Sequence, residues 1–238
     1  MASQKNDSLF IIGTCRVMGP MDGIVCGKSQ FSHCHYPKEI SQMIDILASD
    51  KDTLEPYYEL IFRSMFKEHS VSGIEDIRKN FRSAKNLVVE ISSMKFACVD
   101  SMDDGSNPIY VNLLNKESER FTIRKGILKE NEFALECISL ARKLKTKFPD
   151  KKTIFVSHCY PKSALCRAQK FFDRRRIIDD IIRDIVDEEL VSDVIIPGDL
   201  VGEDIETFSV GKNDSLDYNH YTQQAKDSVR SKILSLLV

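Results

Sequence analysis

Four short apolar runs recur along the chain with amphipathic stretches between them, and this alternation constrains the fold more than any other feature. Leu9-Phe10-Ile11-Ile12 leads into Gly13-Thr14-Cys15-Arg16. Asn86-Leu87-Val88-Val89-Glu90-Ile91 leads into Ser92-Ser93. Thr153-Ile154-Phe155-Val156-Ser157 leads into His158, and Asp193-Val194-Ile195-Ile196 into Pro197. Near-continuous runs of this length, rich in β-branched residues, read as strands buried on both faces, as in a parallel sheet. Between them the spacing predicts helices. Lys38–Ala48 places Ile40, Met43, Ile44 and Leu47 on one face, and Pro56–Lys67 has Pro56 in its first turn. Ile74–Asn80, Lys129–Lys147, Asp173–Leu190 and a last helix ending near Leu237 complete the set. Strand alternating with helix implies an α/β fold: a three-layer α/β/α sandwich around a mainly parallel, flavodoxin-like sheet.

A chain of 238 residues can bury one sizeable core, so residues 1–238 are expected to form a single domain. The pattern lapses around residues 96–126, which reads as an insertion. Asp100–Pro108 is a loop by composition, and Ile109–Arg124 a hairpin or a segment covering a substrate. Met18–Ser32, with Gly19-Pro20, Gly23 and Gly27, reads as a loop as well. Thirty-four Lys and Arg against 36 Asp and Glu leave a net charge of −2, which gives no pull toward nucleic acid. The basic run 162–176 holds six cations but no ladder of aromatic residues, so it reads as a solvated face rather than a nucleic-acid surface. No apolar run approaches the length of a membrane span. Seven scattered cysteines without a CxxC pair, and no secretory leader, fit a reducing, cytoplasmic setting.

The chemistry-bearing residues gather at the ends of the predicted strands. Gly13 lets the chain turn, and Thr14 and Cys15 then fall at the carboxyl end of the first strand, where open α/β sheets bind ligands. A thiol beside the cation Arg16 is a candidate nucleophile; the alternative is a small buried hydrophobe. Ser92, Ser93 and His158 fall on the same rim. His33 and His35 flank Cys34 and point the same way in an extended segment. No third ligand cluster follows at metal spacing, so no metal is expected. The two histidines line the cleft or sit exposed in a loop. Near the carboxyl terminus Asp217 and His220 are three apart and share a face on a turn. The carboxylate can fix the imidazole tautomer and leave its other nitrogen as a base.

With Gly13-Thr14-Cys15 after the first strand and Asp217-Tyr218-Asn219-His220 before the last helix, the chain resembles the SGNH/GDSL hydrolase superfamily. It looks closest to the divergent, cysteine-bearing GSCFA-like members. The resemblance implies the SGNH variant of the flavodoxin-like sheet and a Cys15–His220–Asp217 triad. Three departures stand out: the nucleophile is Cys15 where the family has Ser, Glu90-Ile91-Ser92-Ser93 replaces the family's Gly-x-Asn-Asp, and no glycine matches its oxyanion position securely, although Gly19, Gly23 or Gly27 could serve. Ser92 or Ser93 with the Cys15 N–H would substitute as oxyanion donors. The implied activity is acyl transfer through a thioester, as an esterase or an O-acyltransferase, with no cofactor and with acyl-CoA as the donor in a transferase. Arg16, His33, His35 and His158 suit a small polar or anionic substrate or a glycan. Two other readings stay open. One is a glycosyltransferase or other polysaccharide-modifying enzyme in which Cys15 is no nucleophile; the other is a non-catalytic binding domain.

Overall fold

The computed structural model of the protein describes residues 8–25, 29–32, 34–50, 54–61, 72–100, 108–112, 121–158, 169–201 and 220–237. Five strands form a parallel sheet: β1 (Leu9–Gly13), β2 (Gln30–Ser32), β3 (Asn86–Ile91), β7 (Lys152–Ser157) and β8 (Asp193–Ile195), in the order β2-β1-β3-β7-β8. Counted within this sheet, that is the flavodoxin-like order, which reverses direction between β1 and β3. The register Leu9↔Asn86 through Ile12↔Val89 aligns the carboxyl ends of those two strands, and Ile91↔Ser157 brings β7 level with β3.

Alternation along each strand builds two separate cores, one on each face. Phe10, Ile12, Leu87, Val89, Ile91 and Phe155 face a core shared with helices α2 (Pro37–Ala48), α4 (Ser72–Ser83), α5 (Glu130–Lys147) and α6 (Gln169–Asp187). Leu9, Ile11, Val88, Ile154, Val156 and Ile195 face the other, closed by Val17 of α1 (Cys15–Met18), Leu200 of α7 (Pro197–Val201), and Ala225, Val229 and Ile233 of α8 (Gln223–Leu236). The fold is therefore the three-layer α/β/α sandwich. The predicted inward face of α2 is buried throughout, and Cys137 of α5 lies in the core. Of the segment Pro56–Lys67, the described part is a 3₁₀ turn, Glu55–Tyr57, running into a short α3, Tyr58–Ile61. Among the described residues no helix is long and apolar enough to cross a membrane.

One expected loop is partly strand, and the stretch read as an insertion carries strands of its own. The stretch Met18–Ser32 is not all loop: β2 pairs parallel with β1 in the register Ile11↔Gln30 to Gly13↔Ser32. Three residues paired through the backbone leave no apolar run to find. The stretch 95–127 carries a second, three-stranded antiparallel sheet of β4 (Lys95–Asp100), β5 (Pro108–Tyr110) and β6 (Arg124–Ile127), in the order β5-β4-β6. Side chains of α2 hold it in place. The Tyr36 hydroxyl, at the head of α2, donates to Ala97 O at 2.5 Å and accepts from Ala97 N at 3.2 Å. The Gln42 amide pairs with both backbone groups of Tyr110, at 2.8 and 2.9 Å.

Candidate functional site

The end of β1 is shaped by a buried charge in the neighbouring strand. Glu90 of β3 has no exposure, and its carboxylate collects three donors. Thr14 N donates at 2.7 Å; the Thr14 hydroxyl lies 2.9 and 2.7 Å from its two oxygens; Arg16 Nε donates at 2.9 Å. Burial alone would lower the Arg16 pKa, but the Glu90 carboxylate, together with Tyr221 and Cys15, outweighs it and holds the guanidinium above its ordinary value. Gly13 is required by this clamp. A Cβ there would stand 2.8 Å from Glu90 Cβ and 3.0 Å from its Oε2. Its role differs from the expected turn: Gly13 is the last residue of β1, and among the described glycines only Gly23 has a positive φ, 76°. Thr14 caps α1, its side chain accepting from Arg16 N.

Cys15 follows as the first residue of α1 and is exposed, whereas Cys34, Cys98 and Cys137 are buried. Burial pushes the Cys34 and Cys137 thiols well above the ordinary range and raises that of Cys98. The Cys15 N–H lies in the first turn of α1, where no intrahelical carbonyl is available to it.

The rim continues through Ser92, Ser93 and His35. The backbone N–H groups of Ser92 and Ser93 both donate to His35 O, at 3.0 and 2.9 Å, which joins the entry to α2 to the end of β3. Ser93 Oγ accepts from Lys95 N at 2.9 Å and shapes the turn into β4. Ser92 Oγ is buried and has no hydrogen-bond partner among the described residues. Of the two, Ser92 thus retains a hydroxyl for a ligand. His35 N donates to Glu39 Oε2 at 2.8 Å, and its Nδ1 lies 3.8 Å from the same oxygen. Glu39 is wholly buried; burial raises its pKa, opposed by the contacts with His35.

A cavity of about 540 Å³ opens over this edge of the sheet. Arg16, His35, Ser92, Ser93 and His158 form its floor, Lys95, Phe96, Lys125 and Gly126 of the small sheet one wall, and Arg174, Arg175 and Ile178 of α6 the other. The expected solvated face at the end of the basic run is corrected here: Arg175 is only 3% exposed and turns into the cavity. Arg16, Ser92, Ser93 and His158 line this one cavity, with His35 beside them. Cys15 and His220 are not among the described lining residues. His220 is exposed just ahead of α8, whose N-cap Thr222 accepts from Ala225 N at 3.3 Å. His33 and Asp217 lie outside the described residues.

Sequence reasoning missed the roles of Glu90, Thr14 and Glu39. Glu90 had a signal, a lone charge inside an apolar strand that must find partners. Glu39 had one too, since it lies one turn before Met43 on the buried face of α2. Thr14 had none apart from its place before a helix.

The chain matches no protein-family model, and no curated protein matches it. Among solved structures, it is similar to a GDSL-like lipase from Bacteroides thetaiotaomicron, with 11% identity, a TM-score of 0.46, and coverage of 100% of this chain and 91% of the lipase. It is also similar to an acetyl xylan esterase from the rumen bacterium Butyrivibrio proteoclasticus, with 11% identity, a TM-score of 0.35, and coverage of 98% and 64%.

Proposed function

We propose that the protein is an SGNH-type acyl-transfer enzyme, an esterase or O-acyltransferase acting on a polar, anionic small molecule or glycan, with Cys15 as nucleophile. One observation carries the reading: an exposed thiol stands at the carboxyl end of β1, next to the strand-order reversal, on a backbone locked by Thr14, Arg16 and Glu90. In the proposed cycle His220, oriented by Asp217, takes the thiol proton as Sγ attacks the ester carbonyl. The tetrahedral oxyanion is held by the Cys15 N–H and the Ser92 hydroxyl. The carbonyl re-forms, the C–O bond breaks, and the leaving alcohol takes the proton from His220. Water or an acceptor hydroxyl then attacks the thioester, giving up its proton to His220 and releasing Sγ as the thiolate. Acyl-CoA would serve as donor in a transferase.

The test is to trap the acyl-enzyme. After incubation with p-nitrophenyl acetate, intact-mass analysis is expected to find one hydroxylamine-labile acetyl group on Cys15, lost in Cys15→Ala and formed much more slowly in His220→Ala. Equal acetylation of wild type and His220→Ala would overturn the dyad. The cavity wall takes in Arg16 but not Cys15, and this favours a second reading, a non-acyl enzyme or binding domain whose ligand lies beside the thiol. Under that reading Cys15→Ala leaves ligand binding and any turnover unchanged.

A further inference from the structure

His35 brings to the cavity an imidazole–carboxylate pair distinct from the proposed His220–Asp217. Its main chain is tied down on both sides: Ser92 N and Ser93 N donate to its carbonyl, and its own N–H donates to Glu39 Oε2 at 2.8 Å. Glu39 is wholly buried, and Asn112 Nδ2 donates to its other oxygen at 3.4 Å. The ring is what remains to be used. Nδ1 is enclosed, lies 3.8 Å from Glu39 Oε2, and has no hydrogen-bond partner among the described residues. The side chain is 14% exposed and lines the cavity, so the edge left to the cavity is the one that carries Nε2. A carboxylate beside Nδ1 favours the proton there and leaves Nε2 with its lone pair. The gap of 3.8 Å exceeds a hydrogen bond. A donor arriving at Nε2 polarises the ring and draws the Nδ1 proton onto the carboxylate, as such pairs tighten when a ligand binds.

We infer that His35 binds a hydroxyl of the cavity's ligand, which donates to Nε2 while Glu39 holds Nδ1, and that this ligand is a neutral polyol of the size of a sugar ring. Nε2 held in this way can only accept, so the ligand must bring a donor. No Asp or Glu is among the described lining residues. An ammonium donor would therefore find no counter-charge there, and a neutral hydroxyl is favoured. Phe96 supplies the complement for the carbon skeleton. It pairs with Gly126 across β4 and β6, and a Cβ at Gly126 would stand 2.6 Å from its ring. The ring thus lies against bare backbone, and with Met94 and Ile178 it forms apolar wall. A sugar has both C–H faces for such a wall and O–H edges for His35. The volume of about 540 Å³ lies in the usual range for small-molecule sites, roughly 300–1,000 Å³. The inference rests on the acyl-transfer reading only in making the polyol the acyl acceptor: the attacking hydroxyl then gives its proton to His220, and His35 holds a neighbouring one.

The test is imidazole nitrogen NMR on the full chain, with methyl β-glucoside as the probe. Read at mildly alkaline pH, where ordinary imidazoles are neutral, His35 is expected to carry its proton on Nδ1; its signal is picked out from those of the five histidines by its loss in His35→Gln. The glucoside is expected to shift the Nε2 resonance as it saturates the site. Followed at the Ser92 amide, His35→Ala is expected to bind the glucoside about tenfold more weakly, the worth of one good hydrogen bond. His35→Gln, whose side-chain oxygen can accept in place of Nε2, is expected to recover part of that loss. A proton on Nε2, an Nε2 resonance that the glucoside leaves unmoved, or equal affinity in His35→Ala would each overturn the site. Glucoside binding at His35 in a protein that never acetylates Cys15 overturns the acyl-transfer reading and leaves this one standing; acetylation of Cys15 without glucoside binding does the reverse.

Discussion

Glu90 is a full charge in the middle of a strand, and the local design follows from the need to neutralise it. A buried carboxylate is tolerated only where ionic and hydrogen-bonding partners replace water. Here the partners are Thr14 and Arg16, the residues on either side of the thiol, so satisfying the charge also fixes Cys15. Removing one member of such a pair typically costs about 3–5 kcal/mol. Arg16→Ala is therefore expected to lower unfolding stability by about that much in urea titrations, and Arg16→Ala/Glu90→Gln by distinctly less. If the double variant is no more stable than the single one, the two residues are not coupled. Exposure makes a second prediction. Cys15 is expected to react with iodoacetamide before Cys34, Cys98 and Cys137, as followed by peptide mass spectrometry, because those three are buried and their thiols shifted upward. The sequence pointed to the position of Cys15 through Gly13 and the apolar run before it. It concealed the reason for Gly13, because the contact that forbids a side chain there comes from Glu90, 77 positions away, not from the local backbone.

At the scale of elements, α6 carries a titrating group within its packed length. Asp179 is buried, and burial lifts its pKa from 3.8 to about 7. Arg183 favours the ionised form and Asp199 and Asp180 oppose it, while the Ser157 hydroxyl nearby does not reach hydrogen-bonding geometry. Between about pH 4 and 7 the folded chain thus holds a proton that the unfolded chain has released. The contribution of this group to stability is fullest at the acid end, declines as pH rises through that window, and levels off above about 7. Asp179→Asn is expected to remove the decline, which amounts to at most a few kcal/mol. Denaturant midpoints at pH 5 and pH 8 measure it; parallel pH curves for the two proteins would contradict it. The helices were readable wherever an apolar stripe persisted, as in α2 and α5. The strands were readable where β-branched residues ran together, as in β1, β3 and β7. β2 has three residues and no such run, and β4, Lys-Phe-Ala-Cys-Val-Asp, dilutes its pattern with small side chains.

At the scale of the whole molecule, the thiol follows the end of a strand of the large parallel sheet, while one cavity wall belongs to the small antiparallel one. The cavity's positive lining could not be read from composition, since a net charge of −2 averages away what the topology concentrates. It depends on Lys95, Lys125, Arg174 and Arg175 arriving from distant stretches. The joint between the two sheets has its own consequence. Tyr36 and Gln42 of the α2 region hydrogen-bond the main chain of this segment, at Ala97, Val111 and Tyr110, and the Tyr36 ring meets the Tyr110 ring edge-on. Those main-chain bonds, the Tyr110 ring and the buried Ala97, Val99 and Ile109 hold the sheet without using the side chains of Lys95, Phe96 or Lys125. Residues such as Lys95, Phe96 and Lys125 are thus free to drift over evolutionary time, or to be randomised in a library, while Cys15 keeps its footing, so that the cavity lining can be varied on an unaltered chassis.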